Sequence, residues 1–151
     1  MAQKTDYYLL CRQLSAIIED VSFTLSNLAN ASALLFQTLA DINWSGFYLL
    51  EGDTLLLGPF QGKPACTAIP VGKGVCGAAI LQDKTLLVPD VHAFAGHIAC
   101  DSASNSEIVI PLHKDGQLWG VLDIDSPVYN RFSPEDQAGL EEFCKILEAV
   151  L

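Results

Sequence analysis

The chain has 151 residues, half of them apolar, which is enough for one domain with a buried core and excludes a disordered segment. Eighteen acidic residues against eight basic ones give a formal net charge of −10, and so negative a surface disfavours nucleic-acid and membrane-surface roles. No apolar run is long enough to span a bilayer and no secretory signal pattern opens the sequence, so we expect a cytoplasmic protein.

The first 40 residues have the apolar spacing of helices. Leu10, Leu14 and Ile18 recur at four-residue steps, and Leu28 and Leu35 continue a similar pattern further along. We therefore expect N-terminal helices within about residues 6–40.

From Trp44 onward, short apolar runs separated by turn residues predict strands. A hairpin is expected at 44–50 and 54–60, followed by short strands at 66–71 and 85–88, with a helix beginning near Val75 between them. Residues 89–105 predict a long irregular loop, which in a compact domain is usually functional or mobile.

A second hairpin is expected at 106–113 and 117–126, and a terminal helix at 134–150. Ser133 is a good N-cap and Pro134 suits the first helical position. The elements predict an α+β fold over residues 1–151 as one domain. In it, an antiparallel sheet of strands within 44–126 packs the N- and C-terminal helices on one face and leaves a cleft on the other.

Three acidic residues of the second hairpin are candidate site residues. Asp123 and Asp125 point to the same face because strand side chains alternate, and the apolar residues between them must face the helices. A three-residue loop ending at Gly116 would place Glu107 opposite Asp123 on that face, whereas a two-residue Asp-Gly turn would bury it under the helices. Burying a carboxylate there is costly, so we predict the three-residue loop or another of the same parity. Such a cluster suits an ammonium group or, if one pKa is raised, a proton donor.

The chain has five cysteines, at positions 11, 66, 76, 100 and 144. Their number is odd, and no two of them form a CxxC motif. Cys76 lies at the predicted helix start, where the helix dipole and Lys73 would lower its thiol pKa, and Cys100 lies in the irregular loop near the acidic strand. Either is a candidate nucleophile on these grounds. Zinc binding through His97 and Cys100 is disfavoured because two ligands do not make a site, so no metal is expected. Cys11 and Cys144 lie on or beside apolar helix faces and are interpreted as core residues.

Aromatic residues of the first hairpin offer a pocket wall. Trp44 and Tyr48 share strand parity, so both can face one pocket beside the carboxylates. An indole there would suit a small apolar group attached to a charged one. His92 and His113 are not part of any group of candidate site residues, and we interpret them as surface residues.

Five segments together resemble the free methionine-(R)-sulfoxide reductases, enzymes built on one GAF-type domain. The segments are ASALLFQTLADINWSGFYLL, GPFQGKPAC, IPVGKGVCGAA, DVHAFAGHIACDSASNSEIVIPL and GVLDIDSP. The similarity runs from about residue 28 to 143 and includes Cys66, Cys76 and Cys100 at the family spacing. General GAF sensor domains share the GVLDID-like strand without this cysteine set.

The resemblance implies an activity and roles for the site residues. Cys100 would be the catalytic thiolate that attacks the sulfoxide sulfur, and Cys66 the resolving cysteine that forms a disulfide with it. Thioredoxin would reduce that disulfide, and no cofactor is needed. Cys76 is the third family cysteine, with a role that stays open. Trp44 and Tyr48 match residues of the family's substrate pocket. Glu107, Asp123 and Asp125 match the family's acidic residues, which hold the substrate ammonium group and polarise the sulfoxide oxygen.

Two other functions are compatible with the residues. A GAF-type small-ligand or redox-sensing module without turnover would be expected beside partner domains, for which this chain has no room. A zinc-stabilised structural domain is disfavoured by the ligand count. The sequence is compatible with a homodimer through the helices.

Overall fold

The computed structural model describes residues 4–98 and 103–151. Four α-helices, six strands and a short 3₁₀ turn, Val91–Ala93, make up these ranges. The helices are α1 (Tyr7–Ile18), α2 (Thr24–Thr38), α3 (Gly74–Gln82) and α4 (Pro134–Glu148). The strands are β1 (Trp44–Glu51), β2 (Thr54–Gly62), β3 (Ala68–Pro70), β4 (Leu86–Val88), β5 (Ser106–Lys114) and β6 (Gln117–Ser126).

The six strands form one antiparallel sheet in the order β3-β2-β1-β6-β5-β4. One face packs against α1, α2 and α4 through a core that includes Phe47, Leu122 and Phe143. The opposite face packs against α3 through a second core that includes Val109 and Val121. The predicted α+β class is confirmed, with the terminal helices on one face and a cleft on the other.

The register of the second hairpin arises from a two-residue turn and a bulge, and not from the predicted three-residue loop. Lys114 pairs with Gln117, so the turn has two residues, Asp115 and Gly116, both with positive φ (53° and 76°). A bulge then shifts the register between Leu112 and His113. The predicted three-residue loop is therefore wrong, but the bulge restores its parity because it inserts one extra residue into β6. Glu107 consequently pairs with Asp125 rather than Asp123, and lies on the cleft face as expected.

Because of the same bulge, Trp119 lies on the other face of the sheet from the one that strict alternation predicts. Strict alternation predicts that Trp119 shares the cleft face with Val121, but Trp119 packs against the core under the terminal helices. Val121 remains on the cleft face. The extra residue in β6 reverses the alternation at Trp119, because a one-residue shift moves a side chain to the other face of the sheet.

Smaller differences concern the ends of elements. The third strand is shorter than expected, so Cys66 lies in the loop before it. The 3₁₀ turn orders part of the predicted irregular loop, with the Asp90 side chain accepting a hydrogen bond from the His92 N–H at 2.9 Å. Within the described ranges, no helix combines the length and apolar character needed to cross a membrane.

Helix α4 begins with the cap that its sequence predicts. The Ser133 hydroxyl accepts from the Asp136 N–H, and the Asp136 carboxylate accepts from the Ser133 N–H at 2.8 Å. Asp136 is buried and also accepts from Arg131 and, at 2.5 Å, from the Tyr7 hydroxyl. This network joins the N-terminus of α4 to α1.

Candidate active site

A cavity opens on the sheet face opposite the terminal helices, between β1, β5, β6 and the start of α3. Most of the predicted site residues that the structure describes line it. They are Trp44, Tyr48, Cys76, Glu107, Asp123 and Asp125.

The acidic side chains converge at the base of this cavity. Glu107 and Asp123 are 6% and 5% exposed, and Asp125, which pairs with Glu107 across the hairpin, is half-buried. The Sγ of Cys76 and one carboxylate oxygen each of Glu107 and Asp123 lie within 4.8 Å of one another. The sheet register thus places the three predicted acids in one hollow, with the Cys76 thiol beside two of them.

Burial and mutual repulsion change the acidity of this cluster. Burial, followed by the charges of Asp123 and Asp125, raises the pKa of Glu107 well above its ordinary value of 4.5. Burial also raises the pKa of Asp123, while hydrogen bonds with its neighbours act in the opposite direction. Oδ1 of Asp123 has no hydrogen-bond partner in the part of the chain that the structure describes. Burial and the neighbouring acids therefore favour the protonated form of Glu107 over the carboxylate.

The environment of Cys76 differs from the sequence prediction. Cys76 does lie in the first turn of α3, but its pKa is raised well above the ordinary value of 9.0. The causes are burial, then the charges of Asp123, Glu107 and Asp125. These outweigh the helix dipole and Lys73, whose effect falls off at an exposed position. Cys76 is thus a neutral thiol, and the expected lowering of its pKa is wrong.

Two stacked aromatic rings form one wall of the cavity. The rings of Trp44 and Tyr48 lie 5.9 Å apart between centroids with 23° between planes, and Phe60 stacks on the other side of Trp44 at 5.2 Å. Gly46 lies between Trp44 and Tyr48, where a Cβ would lie only 2.3 Å from the Phe60 Cβ. The absence of a side chain at Gly46 therefore gives Phe60 its place against the indole.

Both aromatic residues also hold the loop that follows β2. The Trp44 indole Nε1–H donates to the Lys63 carbonyl at 3.1 Å, and the Tyr48 hydroxyl donates to the Cys66 carbonyl at 2.8 Å. Cys66 is disulfide-bonded, whereas Cys11, Cys76 and Cys144 are free thiols. Cys100, the other candidate nucleophile, lies outside the described residues.

The remaining sequence candidates have varied surroundings. His97 lines the cavity, and burial together with the charge of His92 lowers its pKa. His92 contacts the Asn105 side chain at 2.9 Å, and His113 contacts Asp83 at 2.7 Å, both near the surface. Cys144 is a core residue, as expected, and Cys11 is half-buried and packs against the same core.

Lys63 and Ser104, which no sequence pattern indicated, also line the cavity. Both lie in loops, where no periodicity indicates the direction of a side chain. The only indirect signal for Lys63 is that a buried indole N–H needs an acceptor, which its carbonyl supplies. As for metals, the thiol and carboxylates of Cys76, Glu107 and Asp123 are the one group of three or more donors close enough to share an ion within the described ranges.

Comparisons with known proteins agree with this architecture. The family model described as GAF domain matches residues 13–151. A free methionine-R-sulfoxide reductase of Escherichia coli (strain K12) is 56% identical over 149 residues, which cover 98% of this chain and 90% of the relative.

Two solved structures are similar over almost the whole chain. The fRMsr of Staphylococcus aureus in its reduced form has a TM-score of 0.97 and 52% identity, covering 100% of this chain and 98% of its own. The free methionine-R-sulfoxide reductase of Neisseria meningitidis, in complex with its substrate, has a TM-score of 0.93 and 42% identity, covering 99% and 93%.

Proposed function

The chain belongs to the GAF domain family and, within it, to the free methionine-R-sulfoxide reductases, and on that premise we propose that it reduces free L-methionine-R-sulfoxide to L-methionine with its own cysteine thiols. The observation that carries the proposal is one cavity lined by Trp44, Tyr48, Glu107 and Asp123. The pKa of Glu107 is raised, and Oδ1 of Asp123 has no hydrogen-bond partner in the described ranges. The acidic residues of the cavity suit the sulfoxide oxygen, and its aromatic wall suits the methyl group on the sulfur.

In the first step the Cys100 thiolate attacks the sulfoxide sulfur. The sulfur–oxygen bond of the substrate breaks, methionine leaves, and Cys100 becomes a sulfenic acid that carries the oxygen. Oxide is a very poor leaving group, so the oxygen must be protonated as it transfers. Glu107 is the proposed donor because its raised pKa keeps a proton available at neutral pH.

In the second step the Cys66 thiol attacks the sulfenic acid. A Cys66–Cys100 disulfide forms and the oxygen leaves as water. Thioredoxin then reduces the disulfide by thiol–disulfide exchange and returns both cysteines to thiols. The disulfide-bonded state of Cys66 in the structure supports its role as the resolving residue. No cofactor is required, since electrons come from thioredoxin.

The other site residues have binding roles in this scheme. Asp125, at the half-buried edge of the acidic cluster, is suited to the substrate ammonium group, since it is the acid nearest solvent. Asp123 helps to polarise the sulfoxide oxygen, and Trp44 contacts the methyl group. Cys76 is the neutral thiol next to Asp123, and we assign it a supporting role rather than nucleophilic attack.

The test is an assay of methionine release from each free sulfoxide epimer, with thioredoxin as reductant. We expect turnover of the free R epimer, and turnover of neither the free S epimer nor a peptide-bound sulfoxide. Cys100→Ser should abolish even a single turnover, whereas Cys66→Ser should release one equivalent of methionine and then stall with thioredoxin. Cys11→Ser, which removes a thiol outside the cavity, is the matched control and should leave turnover intact.

Absence of turnover of the free R epimer would favour the alternative, a GAF-type ligand or redox-sensing module. Loss of the single turnover in Cys76→Ser, with retention in Cys100→Ser, would reverse the nucleophile assignment. We further propose that residues 1–151 act as one cytoplasmic domain that binds neither nucleic acid nor membrane. A homodimer through the helices is supported by the exposed Tyr8 and Leu9 on α1.

A further inference from the structure

The loop that carries Cys100 is joined to the sheet at its base through one residue. This loop, residues 91–105, runs from the start of the 3₁₀ turn to the residue before β5 and is called the Cys100 loop below. Its two ends meet where the Val91 N–H donates to the Asn105 carbonyl at 3.0 Å. The Asn105 N–H donates in turn to the Ser126 carbonyl, at the end of β6, at 2.7 Å. The Asn105 backbone therefore connects both ends of the loop to β6.

The side chain of Asn105 adds two further hydrogen bonds at this base. Its Nδ2–H donates to the Pro127 carbonyl at 2.8 Å, and its Oδ1 lies 2.9 Å from Nε2 of His92. A carbonyl oxygen only accepts hydrogen bonds, so the bond to Pro127 fixes the orientation of the amide. Oδ1 then faces the His92 ring, and Nε2 of His92 carries the hydrogen of that bond. The Asn105 amide thus links the start of the Cys100 loop to the segment that follows β6.

The segment that follows β6 is held by two buried serines. The Ser106 hydroxyl donates to the Val128 carbonyl at 2.5 Å. The Ser126 hydroxyl accepts from the Val128 N–H at 3.0 Å and donates to the Asp41 carbonyl at 2.5 Å. Both serines are fully buried, and satisfied buried polar networks make the surrounding structure rigid. Asn105 therefore attaches the Cys100 loop to a rigid part of the fold.

The Cys100 loop contributes to the cavity wall on both sides of Cys100 in sequence. His97 and Ser104 line the cavity, and Cys100 comes three residues after His97 and four before Ser104. Ser104 is buried, and its hydroxyl accepts from the Asn43 side chain at 3.2 Å. A displacement of about 1 Å of a reacting group can lower a rate about 100-fold. The fixed base of the loop therefore bears directly on the rate at which a cysteine within it can attack.

We propose that Asn105 is a positioning residue for the Cys100 thiolate and acts through its side-chain hydrogen bonds to His92 and Pro127. The inference rests on the proposed function, because it takes Cys100 as the nucleophile. Among the described residues that line the cavity, Asn105 is not one. Its side chain therefore affects the geometry of attack rather than the binding of substrate. Loss of its hydrogen bonds should lower the rate of the chemical step and leave substrate affinity unchanged.

The test uses substitutions of similar shape. Asn105→Asp keeps the acceptor for His92 but places a carboxylate oxygen against the Pro127 carbonyl, and His92→Phe removes the donor and keeps a ring. Each should lower the single-turnover rate at saturating substrate about 10- to 100-fold, with an unchanged half-saturating concentration. His92→Gln retains an N–H donor at the position of Nε2 and should keep most of the rate. Thr85→Val removes a hydrogen bond to Glu141, outside the cavity, and is the matched control that should leave the rate unchanged.

Hydrogen exchange of peptides that cover residues 91–98 gives a readout independent of activity. Exchange should be faster in Asn105→Asp and His92→Phe than in the unchanged protein, and unaltered in Thr85→Val. An unchanged single-turnover rate, an unchanged exchange rate, a loss expressed in the half-saturating concentration alone, or equal losses in His92→Gln and His92→Phe would each overturn the inference. If the unchanged protein turns over no free sulfoxide, the proposed function fails. The role of Asn105 in holding the loop then stands or falls on the exchange rates.

Discussion

Replacing Glu107 by glutamine should make the protein more stable and much less active. Glutamine has the same shape and can donate an N–H hydrogen bond, but it cannot transfer a proton. Loss of a general acid typically lowers the rate by about 10²- to 10⁴-fold. The gain in stability follows from the raised pKa of Glu107, because the buried site holds a proton that the unfolded chain releases.

The sign and size of the stability effect follow from this linkage. A carboxyl whose pKa is raised on folding contributes fully below its unfolded pKa, near 4.5, and its contribution declines as pH rises towards the folded value. The decline approaches about 1.4 kcal/mol per pH unit. Between pH 5 and 6, the free energy of unfolding of Glu107→Gln should therefore gain about 1.2 kcal/mol relative to the unchanged protein, or roughly 2–5 °C in Tm.

The measurement is urea unfolding of both proteins at several pH values from 4 to 7, with single-turnover methionine release measured on the same samples. Glu51→Gln, at the exposed end of β1, is the control that removes a glutamate outside the cavity and should show no such pH-dependent gain. If the stability difference between Glu107→Gln and the unchanged protein stays constant from pH 5 to 6, Glu107 is ionised in the fold and cannot be the proton donor.

Three further predictions concern the surroundings of the site and the helix packing. Cys76 should react with iodoacetamide in the native protein far more slowly than half-buried Cys11, as followed by peptide mass spectrometry, because burial and nearby acids keep it protonated. Comparable labelling would contradict the raised pKa. Tyr48→Phe removes the hydrogen bond to the Cys66 carbonyl, so dimedone should trap more sulfenic acid before the disulfide closes; unchanged trapping would exclude this positioning role. Gly139→Ala would place a Cβ 2.1 Å from the Tyr7 ring and should lower the free energy of unfolding by about 2 kcal/mol in calorimetry. An unchanged Tm would show that α1 can move away freely.

The acidic cluster shows what sequence periodicity can and cannot predict. Glu107 was placed on the cleft face because a buried carboxylate under the helices is costly, and that argument concerns parity alone. The structure achieves the parity with a two-residue turn and a bulge, neither of which the local sequence distinguishes from a three-residue loop. Strict alternation fails at Trp119 for the same reason, since Trp119 is the extra residue of the bulge and the alternation reverses there.

The cavity lining shows a different limit. Trp44 and Tyr48 could be assigned to one pocket because both lie on a regular strand, where side-chain direction follows from position. Lys63 lies in a loop and Cys76 at a helix start, where the neighbours in space come from distant parts of the chain. The pKa of Cys76 is raised first by burial and then by Asp123, which is 47 positions away in sequence, so a local prediction from the helix dipole has the wrong sign.

The acidic environment constrains which thiol can attack. Sulfoxide reduction needs a proton donor beside the oxygen and a thiolate beside the sulfur. The ionised carboxylates that keep the donor protonated, however, also raise the pKa of any nearby thiol. The Sγ of Cys76 lies within 4.8 Å of a carboxylate oxygen of Glu107 and of Asp123, and burial followed by the charges of these acids raises the pKa of this thiol. In the proposed mechanism, the nucleophile would therefore approach the substrate sulfur from outside the acidic cluster. This is why the proposal assigns the attack to Cys100 and a supporting role to Cys76.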